Sequence, residues 1–137
     1  MSQHLNRLEH IGIAVRSLAE SIPIYERLLQ IGCYKIEEIA NQGVRTAFFE
    51  CGGFKIELLE PVVPDSPLST FLDKYGEGLH HIAFLVDNLD QSLREIRDRG
   101  VKLLDRSGRP GADGLSIAFL NPKFTGSVLV EICSRAE

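Results

Sequence analysis

The stretch LEHIGIAVRSL, residues 8–18, returns as LHHIAFLVDNL at residues 79–89, and this places His10 and His81 at equivalent positions. Self-similarity of this kind is the sequence signature of a duplicated structural unit. Two further pairs of stretches support the same alignment: NQGVRTAFFE (41–50) with ADGLSIAFLN (112–121), and GGFKIELLE (52–60) with GSVLVEICS (126–134). The chain therefore consists of two copies of one module.

Both copies begin with the same local signals. A short β-branched and apolar run, 10–15 in the first copy and 81–86 in the second, predicts a strand. A helix is predicted after each run. In the second copy it is capped by Asn88 and stopped by Gly100. In the first copy Ser17 is the cap and Gly32 the stop, and Pro23 predicts a late start or a kink because proline removes a helical hydrogen bond.

Three apolar runs separated by Gly and Pro follow each predicted helix, and we interpret them as strands. They are 33–39, 44–50 and 54–59 in the first copy, and 101–105, 115–120 and 128–133 in the second. Each module is thus βαβββ. Between the modules, Ser66 before Pro67 and a closing Gly76 predict a short connecting helix.

Modules of about 55 residues bury too little apolar surface to be stable alone. We therefore predict one α+β domain over residues 1–137, in which the two βαβββ modules pack together and share one sheet system. The first module covers about 7–60, the connecting helix about 66–76 and the second module about 79–134.

Composition excludes several classes of protein. With 44% hydrophobic and 25% charged residues, the chain has the balance of a globular protein. A net charge of −4 disfavours nucleic acid as a partner. No apolar run approaches the roughly 20 residues of a membrane span, and the start MSQHLNRLEH lacks the apolar stretch of a secretory signal. The three cysteines give neither a disulfide framework nor a Cys-x-x-Cys metal site. We expect a cytoplasmic protein that binds no membrane.

A histidine in the first strand and a glutamate in the last strand occur in both copies. Strand alternation places His81, rather than His80, on the face equivalent to that of His10. Glu57 and Glu131 each interrupt an apolar strand, where an unpaired carboxylate is costly to bury. Singly, each residue is explained by a structural role. Together, two imidazoles and two carboxylates are ligands suited to Zn, Co, Mn, Ni or Fe(II).

These motifs resemble the vicinal oxygen chelate superfamily (glyoxalase/bleomycin resistance/dioxygenase), and most closely its methylmalonyl-CoA epimerase family. The resemblance covers nearly the whole chain. It is carried by LEHIGIAV, NQGVR, KIELLEP, DSPLSTFLDKYGEGLHHIAFLV, RPGADG and NPKFTGSVLVEI. It implies the fold described above, with a central cavity that binds a metal, and it assigns the metal ligands to His10, Glu57, His81 and Glu131.

The resemblance also implies an isomerase that interconverts (2R)- and (2S)-methylmalonyl-CoA by α-proton abstraction through a metal-stabilised enolate. The cofactor is a divalent metal ion (Co, Zn, Mn, Ni or Fe), the partner an acyl-CoA substrate, and the assembly a homodimer. Proton transfer at both faces of the enolate needs two acid/base groups. Glu131 is expected to be one. Where some members of the family carry a glutamate base this chain has Thr46, so the second base is Glu50, a bound water or Glu57.

Substrate binding is predicted at Thr46, Asn121 and Lys123, and Asn121 stands where the family often has a histidine. Lys123, Arg45 and Arg109 are candidates for the coenzyme A phosphates, although each taken alone is better explained as a solvated surface charge. Two other functions stay open: a glyoxalase-type lyase or isomerase that uses the same metal site, and a metal-free small-molecule-binding resistance protein.

Overall fold

The computed structural model describes Leu5 and residues 7–135. Its strands and helices, in chain order, are β1 (Leu8–Ala14), α1 (Leu18–Leu29), β2 (Lys35–Ile39), β3 (Val44–Glu50), β4 (Lys55–Pro61), α2 (Pro67–Tyr75), β5 (Gly78–Leu85), α3 (Leu89–Asp98), β6 (Arg109–Pro110), β7 (Leu115–Phe119) and β8 (Val130–Arg135). Short 3-10 turns cover Ala40–Gln42, Ala112–Gly114 and Pro122–Phe124. Within the described part of the chain, no helix is long and apolar enough to cross a bilayer.

The described residues form two compact units, one of residues 10–80 and one that joins the described residues before His10 to residues 81–135. In the first unit β1 pairs in parallel with β4, and β4, β3 and β2 are antiparallel neighbours. In the second unit β5 pairs in parallel with β8, and β8, β7 and β6 are antiparallel neighbours. The duplicated βαβββ order predicted from the sequence is therefore present in both units.

The strand predicted over 101–105 is wrong. Within it Leu103 makes only an isolated bridge, and the strand partner of β7 is the short β6 further along the chain. The carboxylate of Asp105 accepts the N–H of Phe119 at 2.7 Å, a donor that a continuous ladder would pair with a backbone carbonyl. A side chain thus takes the place of the backbone and ends the ladder.

Helix α1 starts earlier than Pro23 suggested. The hydroxyl of Ser17 accepts the N–H of Glu20 at 3.2 Å, and the carboxylate of Glu60 accepts the N–H of Leu18 at 2.8 Å. Because these two acceptors satisfy N–H groups of the first turn, the helix forms from Leu18, and the late start is wrong. Pro23 lies inside the helix and lacks the N–H that would bond to the preceding turn.

The end of α1 also differs from the prediction. The helix stops at Leu29, and Gln30 takes the left-handed conformation with φ 58°, two residues before the predicted stop at Gly32. The other helix termini agree with the sequence. Ser66 caps α2 and Asn88 caps α3, accepting the N–H groups of Ser69 and Gln91.

Each unit buries a core between its helix and one face of its strands. In the first unit Leu18 of α1 packs in one cluster with Val15, Ala47, Phe49 and Leu58. In the second unit α3 contributes to a cluster of Val86, Leu89, Leu93, Ile96, Ala118, Leu120, Val130 and Ile132. Because side chains alternate along a strand, the intervening residues point to the opposite face of each unit's strands. That face carries the predicted ligands.

Candidate functional site

His10 and Glu57 lie on adjacent strands of the first unit. In the parallel pairing of β1 with β4, Gly12 is opposite Glu57, and His10 is the next residue on the same face. The His10 Nδ1 atom is 3.2 Å from Glu57 Oε2, and both side chains are more than 95% buried.

His81 and Glu131 repeat this arrangement in the second unit. Ala83 is opposite Glu131 in the β5–β8 pairing, as Gly12 is opposite Glu57. The His81 Nε2 atom is 3.5 Å from Glu131 Oε1, and both side chains are again almost completely buried. The duplicated sequence thus builds an imidazole–carboxylate pair in each unit, through Nδ1 of His10 and Nε2 of His81.

His80 lies in a different environment from His81. Its ring packs edge-on against Phe71 with 4.8 Å between the ring centroids. Burial lowers the pKa of His80 from 6.5 to about 4, because the charged imidazolium is poorly solvated there. The structure therefore gives His80 an apolar packing role and brings His81, the histidine chosen from strand alternation, to the glutamate.

A phenylalanine flanks each carboxylate on the next strand. Phe48 is paired with Glu57, and Phe119 with Glu131. The ring of His81 meets Phe119 edge to face, with 5.7 Å between the centroids. These rings form an apolar border to each pair, and burial beside them strengthens electrostatic interactions of the carboxylates.

Lys55 is a residue of this face that sequence analysis did not single out. Its side chain is only 7% exposed, and its Nζ atom lies 3.7 Å from Glu57 Oε2. A usable signal was present: in KIELLEP, strand alternation puts Lys55 on the same face as Glu57. Lysine in strands is usually solvated, so the charge alone gave no reason to place it inside.

Both imidazole–carboxylate pairs fit a divalent metal ion. Donors at about 2.0 to 2.2 Å from a shared ion lie about 2.8 to 3.6 Å apart in octahedral or tetrahedral geometry. The two observed separations, 3.2 and 3.5 Å, lie within that interval. Imidazole and carboxylate donors together suit Zn, Co, Mn, Ni or Fe(II).

The two β3 residues that bear on the second proton transfer, Thr46 and the candidate base Glu50, lie in very different surroundings. Thr46 lies on the face of Glu57, is 1% exposed, and its Oγ1 atom has no hydrogen-bond partner among the described residues. Glu50 is exposed at the end of the strand, where its carboxylate accepts the N–H of Gly53 at 3.2 Å. The structure therefore buries Thr46 on the face that carries Glu57 and leaves Glu50 in a surface turn.

The predicted substrate-binding residues Asn121 and Lys123 belong to the turn after β7. The Asn121 side chain accepts the N–H of Lys123 at 3.0 Å and so caps the 3-10 turn, while Lys123 itself is exposed. Arg45 hydrogen-bonds to Glu38 and Glu60, each at 3.0 Å. Arg109 lies 3.4 Å from Asp105. Both arginines considered for phosphate binding thus have carboxylate partners.

Comparison with known proteins identifies the family. The Glyoxalase/Bleomycin resistance protein/Dioxygenase superfamily model matches residues 9–119. The human mitochondrial methylmalonyl-CoA epimerase is 35% identical over 94% of this chain and 74% of its own length. The chain belongs to the methylmalonyl-CoA epimerase family of this superfamily.

Two further matches extend across almost the whole chain. YqjC of Bacillus subtilis is 47% identical over 94% of this chain and 92% of its own length. The structure of a Streptomyces coelicolor methylmalonyl-CoA epimerase variant, in complex with 2-nitronate-propionyl-CoA, has a TM-score of 0.90 at 36% identity, covering 98% of this chain and 100% of that one. The predicted methylmalonyl-CoA epimerase family, its vicinal oxygen chelate fold and the isomerase class are thereby confirmed.

Proposed function

We propose that the protein is a metal-dependent epimerase that interconverts (2R)- and (2S)-methylmalonyl-CoA. The observation that carries this proposal is the buried imidazole–carboxylate pair, built twice at equivalent strand positions. It occurs in a chain that resembles methylmalonyl-CoA epimerases over more than nine-tenths of its length. Buried carboxylates need a partner or an ion to offset their desolvation, and buried groups of this kind cluster at functional sites.

In this proposal His10, Glu57, His81 and Glu131 hold one divalent ion. The donor types and the spacing within each pair support that assignment. A bound divalent ion would supply a Lewis acid that polarises the thioester carbonyl and so acidifies the α-proton. The buried Phe48 and the partly buried Phe119 beside the carboxylates would limit competing contact with water.

Inversion of the α-carbon needs a proton acceptor on one face and a donor on the other. We assign one of these roles to Glu131. The other face is served through a water held near the Thr46 hydroxyl, because that buried oxygen has no protein partner among the described residues. Glu50 is the alternative base, and its exposure together with its bond to Gly53 argues against it.

The acyl-CoA ester is the proposed partner, and the coenzyme A complex named for the Streptomyces relative supports it. Lys123 is the cation we favour for the coenzyme A phosphates, since it is exposed and at the tip of a turn. Asn121 would act indirectly by shaping that turn. The cytoplasmic location and the homodimer rest on the sequence and stay predictions.

The decisive test is proton NMR of (2R)- and (2S)-methylmalonyl-CoA in D2O with protein that has been stripped of metal and reloaded with Co, Zn, Mn, Ni or Fe(II) in turn. We expect each epimer to yield the other, with deuterium entering the α-carbon, only in reloaded samples. The hemithioacetal of methylglyoxal and glutathione is the control substrate. Turnover of the control substrate alone would favour the glyoxalase-type reaction. Binding of the thioester without exchange or turnover would favour a binding protein.

A further inference from the structure

The C-terminal end of α3 and the loop that follows it enclose a cavity of about 420 Å³. All of its lining residues belong to the second unit, and neither His81 nor Glu131 is among them. Cavities of about 300 to 1,000 Å³ accommodate small organic ligands. Three of the lining residues are cations: Arg97, Lys102 and Arg106.

Val101 and Leu103 form the apolar part of the cavity wall. Both are half-buried and pack against the hydrophobic core of the second unit. The loop that carries them is also tied to the chain after β7, because the N–H of Asn121 donates to the carbonyl of Lys102 at 2.9 Å. These contacts fix the loop on two sides. The cavity is therefore already shaped before any ligand enters.

The three cations of the wall are not neutralised by carboxylates of the described residues. The Arg97 guanidinium donates to the backbone carbonyl of Arg106, while the side chains of Lys102 and Arg106 form no hydrogen bond or ion pair within the described part of the chain. Asp105 is the acid of the wall, and its carboxylate lies 3.4 Å from the Nε atom of Arg109. The cavity is thus a positive site in a chain whose net charge is −4.

The duplication shows that the fold does not require this positive charge. At the spacing that equates the histidines of the two modules, Arg97 corresponds to Glu26. The Glu26 carboxylate accepts the N–H of Cys33 at 3.0 Å, so the first unit secures the same helix end with an acid. The dipole of α3 favours a cation in its last turn, which accounts for Arg97 alone. Lys102 and Arg106 add repulsion that an anionic ligand would relieve.

We propose that this cavity is a binding site for an organic phosphate. The phosphate lies among the three cations, and the apolar body of the ligand lies against Val101 and Leu103. A phosphate monoester carries nearly two negative charges and three strong acceptor oxygens, which suits this wall better than the single charge of a carboxylate. The guanidinium groups can each donate two parallel hydrogen bonds to it. Two ligands share this chemistry: a free nucleotide and, on the proposed function, the nucleotide end of a coenzyme A ester.

Calorimetric titration with adenosine 3′,5′-bisphosphate tests the site, and adenosine is the uncharged control ligand. We expect the bisphosphate to bind the wild-type chain and adenosine to bind at least about tenfold more weakly, because it makes no charged hydrogen bond. Lys102→Gln/Arg106→Gln should weaken the bisphosphate by about 10- to 100-fold. Arg94→Gln/Arg99→Gln is the matched control. It removes the same charge from exposed positions of the same region that do not line the cavity, and it should retain binding.

Coenzyme A and 3′-dephospho-coenzyme A identify the source of the phosphate. If the cavity holds the nucleotide end of coenzyme A, Lys102→Gln/Arg106→Gln weakens coenzyme A but not the dephospho form. If it serves a free nucleotide, the affinities of both stay unchanged and only the bisphosphate is lost. Either result supports the phosphate site.

Three results would overturn the phosphate site. They are an unaltered bisphosphate affinity in Lys102→Gln/Arg106→Gln, an equal loss in Arg94→Gln/Arg99→Gln, and bisphosphate binding by the wild-type chain that is no tighter than that of adenosine. Because the cavity contains none of the candidate metal ligands, these results leave the proposed epimerase untouched. That activity is tested separately, by exchange of the α-proton in D2O.

Discussion

Glu57 and Glu131 stand at equivalent strand positions but have different neighbours. Lys55 approaches Glu57 to 3.7 Å, whereas the equivalent position beside Glu131 is Leu129. A carboxylate that is shared with a cation is a weaker proton acceptor, because the cation stabilises its ionised form. The asymmetry between the two copies therefore favours Glu131 as the residue that moves the proton.

Glu131→Gln is expected to lower epimerisation by about 10²- to 10⁴-fold, the range for loss of a general acid or base. Its amide oxygen can still bind metal, so the metal content should change much less. Glu57→Gln should reduce turnover by less than about tenfold. Rates are measured by circular dichroism of the two epimers, and metal by atomic absorption. Equal losses of turnover at full metal content would contradict the special role of Glu131.

The second prediction for a single residue concerns Thr46. If water serves the second face, Glu50→Gln should change turnover by less than about twofold, and Thr46→Glu should sustain or raise it by providing a protein base. Starting from either epimer in D2O, the proton handled through water exchanges completely, while the one held by a carboxylate is partly returned. Deuterium at the α-carbon is followed by NMR in the wild-type protein and in both variants. A large loss in Glu50→Gln with metal retained would show that Glu50 is the base.

At the scale of elements, the sequence predicts well what local chemistry decides. Ser66 and Asn88 cap their helices because side-chain oxygens close to a helix start satisfy its N–H groups whatever lies beyond. The errors arise where a distant residue intervenes. Glu60 lets α1 begin before Pro23, and Asp105 replaces the backbone partner of β7. Contacts between residues so far apart in the chain leave no periodic pattern in the sequence from which they could be predicted.

The turn between β2 and β3 provides a test of a whole element. Gly43 and its counterpart Gly114 both have positive φ, 66° and 73°. At Gly43 an added Cβ would also meet the Val63 side chain at 2.8 Å, whereas nothing lies within 4 Å at Gly114.

Gly114→Ala should therefore cost about 1 to 2 kcal/mol for the left-handed backbone alone. Gly43→Ala should cost about 1 to 3 kcal/mol more, because the methyl group overpacks the turn. Urea unfolding of both variants and the wild-type chain at one pH measures the difference. Equal destabilisation would show that Val63 moves aside freely.

For the whole molecule, the duplication is what made the four candidate ligands visible in the sequence. A single histidine or glutamate in a strand has a structural explanation, and only its recurrence at the equivalent position of the second copy argues otherwise. The same reasoning missed Lys55, because a residue present in one copy alone produces no repeat. Lys55, which distinguishes the two units, was therefore recognised only once the structure showed its burial beside Glu57.

The four-ligand proposal makes a stoichiometric prediction for the whole chain. If both pairs bind one ion, metal-free protein takes up one equivalent of Co or Zn. The double variants His10→Ala/Glu57→Ala and His81→Ala/Glu131→Ala should then each lose tight binding completely. They should also lose the stabilisation by metal, about 2.7 kcal/mol at a hundredfold excess over Kd. His80→Asn, which alters the neighbouring imidazole, is the control and should keep one equivalent. Calorimetric titration and thermal unfolding with and without EDTA measure both effects. Two equivalents in the wild-type chain, with one retained in each double variant, would mean that each unit binds an ion of its own.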